Sequence, residues 1–96
     1  MPYFALIYDT VDDYVERRAA FRGEHLAAAN DLVERGELLL GGAFANPVDR
    51  ALLVFNVPDA AVVEAFARSD PYVVNELVRH WEVREWNVVI GSAFNR

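Results

Sequence analysis

The 96-residue chain contains no cysteine, which excludes a disulfide framework, a thiol nucleophile and a thiolate metal site. It also lacks any basic cluster: nine Lys and Arg stand against 15 Asp and Glu, a formal charge of −6. Nucleic acid is a poor partner for such a chain, because binding it depends on clustered cations that neutralise phosphates. No apolar run approaches the 18 or so residues of a membrane span, and residues 1–8 have neither the basic start nor the long apolar core of a signal peptide. A cytoplasmic protein without a membrane partner is the expectation. There is no internal repeat and no low-complexity segment.

What is present is a high apolar content, 54% hydrophobic residues against 25% charged. A chain of this length forms one domain over residues 1–96, burying roughly 60 to 65% of its unfolded surface. The apolar share exceeds the usual 45 to 50% or so, which hints at burial beyond one subunit.

Residues 2–8 read as a strand rich in aromatic and branched side chains. Asp9, Thr10, Asp12 and Asp13 supply turn and capping chemistry for a helix from about residue 13 to Arg35, stopped by Gly36. Strands are expected over 37–44 and 51–57, joined by the turn residues Asn46-Pro47-Val48-Asp49 as an antiparallel hairpin. Pro58-Asp59 opens a second helix with Val62, Ala65 and Phe66 on one stripe, which stops before Pro71. Asp70-Pro71 begins a further helical turn through Asn75 to Val78, and residues 81–90 form the last strand.

The order is βαββαβ, an α+β ferredoxin-like arrangement with both helices on one face of a four-stranded antiparallel sheet. A half-solvated sheet would alternate apolar and polar residues. The first strand instead offers Phe4, Leu6 and Tyr8 on one side and Tyr3, Ala5 and Ile7 on the other. The third sets Leu53, Phe55 and Val57 opposite Leu52 and Val54. Burying both faces requires a second sheet, hence a homodimer of the dimeric α/β-barrel type.

His25 falls at the centre of the inward face of the first helix, between Tyr14, Phe21 and Leu32 on one side and Ala29, Leu26 and Val33 on the other. A titratable ring there is either a general acid or base or a buried neutral histidine held by a neighbour. Arg18 lies roughly 20° and Arg22 roughly 60° from it on the wheel. Both arginines suit a substrate oxyanion, or a carboxylate of the fold such as Asp9.

Asp70 either fixes the His25 tautomer or caps a helix, and one oxygen for each role lets both hold. Tyr8 and Tyr72 are candidates to line a pocket with their hydroxyls, or to serve as packing. Trp81 and Trp86 belong to the core or a dimer contact. Gly41-Gly42 leads to no helix, so it marks a bulge or close backbone approach rather than a phosphate loop. His80 has no second histidine at ligand spacing, so no metal site is expected.

Tyr3-Phe-Ala-Leu-Ile-Tyr-Asp9, Arg18 with Arg22-Gly-Glu-His25-Leu26, Gly36 before Leu38-Leu39, Gly41-Gly42, Ser69-Asp70-Pro71-Tyr72-Val73 and Trp86 together resemble the YCII-related (YciI-like) family. The resemblance implies a dimer of α/β-barrel type, with the family's hallmark histidine and aspartate at His25 and Asp70. One relative is a dehydrochlorinase of a chlorinated hydroxyquinol. The implied activity is proton transfer or elimination on a small aromatic or enolisable acid. His25 would be the acid/base, Asp70 its partner, and Arg22, with Arg18, the anion-binding groups. Such chemistry needs no cofactor and no metal. The alternative is a non-catalytic module of the same fold that binds a small metabolite or a protein. The chain departs from the family at Val74-Asn75-Glu76, which places a charged Glu76 near the site, and in the short Ala45–Arg50 loop.

Overall fold

The computed structural model describes residues 2–93, which form a four-stranded antiparallel sheet with its helices on one face. In chain order the elements are β1 (Tyr3–Thr10), α1 (Tyr14–Arg18), α2 (Arg22–Glu34), β2 (Leu38–Ala43), β3 (Arg50–Asn56), α3 (Ala60–Ser69), α4 (Pro71–Val74) and β4 (Val78–Trp86). The strand order β2-β3-β1-β4 puts β1 at the centre, paired with β3 and β4. This is the ferredoxin-like α+β arrangement expected from the element order.

Strand alternation decides which side chains meet the helices. Phe4, Leu6, Tyr8 and Thr10 of β1 are buried, as are Ala51, Leu53 and Phe55 of β3. They pack on Ala29 and Leu32 of α2 and Val63, Phe66 and Ala67 of α3. Each large apolar side chain removed from water here contributes about 1.5 to 3 kcal/mol. On the other face, Tyr3, Ala5 and Ile7 of β1 and Leu52 of β3 are only partly covered, and Leu40 of β2 is 65% exposed. The apolar character of that face stops at β4, where Glu82 and Arg84 stand opposite Ile7 and Ala5.

Several segments differ from the sequence expectation. The single helix over 13–35 is two helices, α1 and α2, broken at Ala19–Phe21. With that break, Leu26 and Val33 leave the interior, at 44% and 47% exposed. Asp13 precedes α1 but makes no side-chain capping bond. Lastly, β4 begins at Val78 and ends at Trp86, so residues 87–90 lie outside the sheet. The helical turn after Asp70 is correspondingly short, ending at Val74.

Two helix ends share one geometry. At α2, Glu37 N–H bonds to the Leu32 carbonyl and Gly36 N–H to Val33, with Gly36 at φ 75°. At α4 the same pattern joins Leu77 to Tyr72 and Glu76 to Val73, with Glu76 at φ 65°. Both are Schellman closures, whose penultimate position requires a left-handed residue. At Gly41, an added Cβ would sit 3.0 Å from Leu53 Cγ. This is the close approach expected of the Gly-Gly pair, and β2 is also irregular between Leu38 and Leu40.

Candidate active site

The site is assembled where the end of β1, the start of α2 and the α3–α4 junction meet. Asp70 precedes proline, which disfavours helical backbone at that residue. It is extended, at φ −61° and ψ 123°, ending α3 and capping α4. That turn aims its carboxylate inward, where Asp70 is 1% exposed. A carboxylate removed from water needs a partner at each oxygen. Oδ1 accepts from the Tyr72 backbone N–H at 3.0 Å and lies 2.8 Å from His25 Nδ1. Oδ2 accepts from the Tyr8 hydroxyl at 2.7 Å. Capping and histidine pairing therefore share one oxygen, and the second is taken by Tyr8 rather than left free.

This arrangement gives the His25 ring a direction. With Asp70 as acceptor, Nδ1 carries the proton and the Nε2 lone pair faces away from the aspartate. The His25 side chain is 13% exposed, and Nε2 has no hydrogen-bond partner among the described residues. One ring face is covered by Tyr72, stacked at 3.9 Å between centroids and 8° between planes. Tyr14 in turn meets Tyr72 edge-on at 5.6 Å.

His25 lies on the wall of a cavity of about 240 Å³ between α2 and the β2–β3 hairpin. Tyr14, Arg18, Arg22 and Tyr72 gather on the histidine side, while Leu38, Gly41, Ala51 and Leu53 line the sheet side. No acidic side chain among the described residues lines it. Neither Arg18 nor Arg22 forms an ion pair with a described residue, whereas Arg17, Arg35, Arg50, Arg79 and Arg84 all do. Arg18 instead lies over the Tyr14 ring, 5.3 Å from its centroid. Asp9, expected as a partner for these arginines, pairs with Arg50 at 2.9 Å because β1 and β3 place the two opposite each other.

The tyrosines hold their protons firmly. Burial pushes the Tyr8 hydroxyl far above the usual tyrosine range, and the Asp70 charge and hydrogen bond push it further. Burial raises Tyr72 as well, while Arg22 and Arg18 pull it back. Tyr14 is raised by burial, opposed by Arg18. The Tyr72 hydroxyl is buried without a well-formed hydrogen bond in the described protein. Arg22 is the charged group beside it.

Six residues singled out from sequence, His25, Asp70, Arg18, Arg22, Tyr8 and Tyr72, thus converge. Tyr8 does so differently from expectation, because its hydroxyl is committed to Asp70 rather than offered to the cavity. Glu76 does not line the cavity, since the closing turn of α4 carries it away. His80 is exposed on β4, 4.0 Å from Glu82. Trp81 packs against the core, whereas Trp86 is exposed. Among the described residues no three His, Asp or Glu groups lie together as metal ligands, and no helix is long and apolar enough to cross a membrane.

Comparison with known structures places this architecture. The chain superimposes on 5-chloro-2-hydroxyhydroquinone dehydrochlorinase from Burkholderia phenoliruptrix AC1100, in complex with 2,5-dihydroxybenzoquinone, with a TM-score of 0.74 and 17% identity. The match covers 88% of this chain and 93% of that one. At this identity the likeness is one of fold. No curated protein sequence matches the chain. The family model of the YCII-related domain matches residues 1–87, and the protein accordingly belongs to the YCII-related family.

Proposed function

We propose that the protein is a small enzyme that transfers a proton, or expels a leaving group, on a small anionic aromatic or enolisable acid. The observation that carries this reading is the cavity wall itself. There His25, its Nδ1 backed by a buried carboxylate and its Nε2 unpartnered among the described residues, lines the same cavity as two arginines without acidic partners. In a chain of net charge −6, such a pocket suits one negative ligand and repels none of its own charge.

The chemistry follows from the placement. Nε2 takes a proton from carbon or hydroxyl, and Asp70 stabilises the imidazolium that forms without itself becoming protonated. The electron pair left on the substrate spreads to an enolate or phenolate oxygen held by Arg22 and Arg18. Imidazolium then returns the proton to another substrate atom, which is isomerisation, or the pair expels an anionic leaving group, which is elimination. Tyr72 offers its hydroxyl proton to a second substrate oxygen. These steps need no cofactor.

We also propose that the partly covered sheet face, with Tyr3, Ala5, Ile7, Leu52 and exposed Leu40, is the contact of a homodimer. Sedimentation equilibrium giving a monomer at micromolar concentration would count against that contact.

The enzymatic reading is tested with 5-chloro-2-hydroxyhydroquinone, 2,5-dihydroxybenzoquinone and a panel of hydroxybenzoates, scored by thermal shift and by turnover. The wild type is expected to be stabilised by at least one of them and to convert it. Arg22→Gln should weaken binding about 10- to 100-fold, the value of one charge-assisted contact. His25→Asn should bind but not turn over. Conversion by His25→Asn at the wild-type rate refutes the role of His25. Binding without turnover by any protein assigns the pocket to a metabolite-binding module instead.

A further inference from the structure

We propose that Tyr8 is a positioning residue, which draws charge from Asp70 through its buried hydroxyl and so sets how strongly His25 attracts a proton. The proposal rests on the reading of His25 as the base. It adds a residue whose hydroxyl proton is committed to Asp70 Oδ2 at 2.7 Å.

Three observations support it. Tyr8 is 1% exposed on the central strand, and its buried hydroxyl has Asp70 as its acceptor. Its bond leaves Asp70 only Oδ1 for the histidine, and Oδ1 is also held by the Tyr72 N–H. The carboxylate is consequently anchored at both oxygens and cannot rotate about its own axis without losing three donors. Because Tyr8 stays protonated, it remains a donor throughout the range in which a histidine titrates.

The electrostatic consequence has a definite sign. A carboxylate stabilised by a hydrogen-bond donor is a weaker base toward its other partner. Removing the Tyr8 hydroxyl concentrates charge on Oδ1 and strengthens its hold on the imidazolium. The other groups facing His25 are Tyr72 of α4, Tyr14 and Arg18 of α1, and Arg22 of α2. None of them is altered by Tyr8→Phe. The two arginines oppose the imidazolium charge, and the Tyr72 face favours it.

The test is an NMR titration of both histidines in wild type, Tyr8→Phe, Asp70→Asn and the double variant. The exposed His80 serves as the internal control for an intact fold. Tyr8→Phe is expected to raise the His25 midpoint by roughly half a pH unit, leaving His80 in place. Asp70→Asn should lower the His25 midpoint, and adding Tyr8→Phe to it should move His25 no further. An unchanged or lowered His25 midpoint in Tyr8→Phe, or an equal shift in the Asp70→Asn background, overturns the proposal. A His25 midpoint indifferent to Asp70→Asn instead overturns the His25–Asp70 pairing on which the proposed function stands.

A wild-type measurement guards against a variant that does not fold. The Tyr8 Cζ carbon should shift with the His25 midpoint, since both report on one carboxylate. A carbon that stays still through that titration also refutes the relay.

Discussion

Replacing Asp70 separates what its shape does from what its charge does. Asp70→Ala removes the acceptor for the buried Tyr8 hydroxyl and for the Tyr72 N–H that starts α4. A lost N-terminal cap costs about 1 kcal/mol, and an orphaned buried hydroxyl about 1 to 3 kcal/mol. His25 is partly exposed and can turn to water, so it adds little. The sum is about 3 kcal/mol. Asp70→Asn keeps an oxygen for the Oδ1 partners and presents its amide to Tyr8, whose hydroxyl rotates to accept. It should cost only about 1 kcal/mol, because relief from burying a charge offsets weaker bonds. Urea unfolding at fixed protein concentration, followed by tryptophan fluorescence, measures both. The gap of about 2 kcal/mol corresponds to roughly 8 to 16 °C in Tm for a domain of this size. Losses equal to within about 0.5 kcal/mol would refute the claim that these hydrogen bonds hold the junction together, since that is near the error of independent effects.

Other outcomes follow from single residues. The folded-state pKa of Tyr8 lies above its unfolded value, as do those of Tyr14 and Tyr72. Their contribution is therefore fully present below about pH 10 and lost as pH rises beyond it. Tyr8→Phe should flatten the alkaline limb of a stability–pH curve by about 1.4 kcal/mol per pH unit, and an unchanged slope counts against the burial of that hydroxyl. Glu76→Gly should stabilise the protein by about 1 kcal/mol, because Glu76 occupies a left-handed Schellman position. Thermal melts showing no gain would contradict that reading. Gly41→Ala should cost about 1 kcal/mol or more in urea unfolding, because its methyl must displace the buried Leu53.

The fold was legible because each strand carries its own period. The alternation of Phe4, Leu6 and Tyr8 with Tyr3, Ala5 and Ile7 identifies a strand with two apolar faces, and β1 is the central strand. His25 and Asp70 were legible for different reasons. The first is a titratable ring on an apolar arc, and the second is an aspartate before proline, which sets its own backbone.

The break between α1 and α2 was not legible. Ala19 and Ala20 favour helix, so nothing local marks the interruption. The bond from Tyr8 to Asp70 was hidden for another reason. It joins residues 62 apart in sequence, and only the register of β1 against the α3–α4 junction brings them together. What pointed toward it was Tyr8 falling on the same inward face as Leu6. The unpaired state of Arg18 and Arg22 was equally hidden, since a cation reveals its partners only when every nearby carboxylate has been placed. Asp9 was plausible until β3 brought Arg50 opposite it.

The central claim is that Asp70 holds the His25 proton on Nδ1 and leaves the Nε2 lone pair facing the cavity. Nitrogen-15 NMR of the histidine rings in the wild-type protein, recorded above the His25 midpoint, reads this directly. A His25 ring with a protonated Nδ1 and an unprotonated Nε2 is the expected result. A His25 ring protonated on Nε2, with Nδ1 accepting from a neutral Asp70, would contradict it.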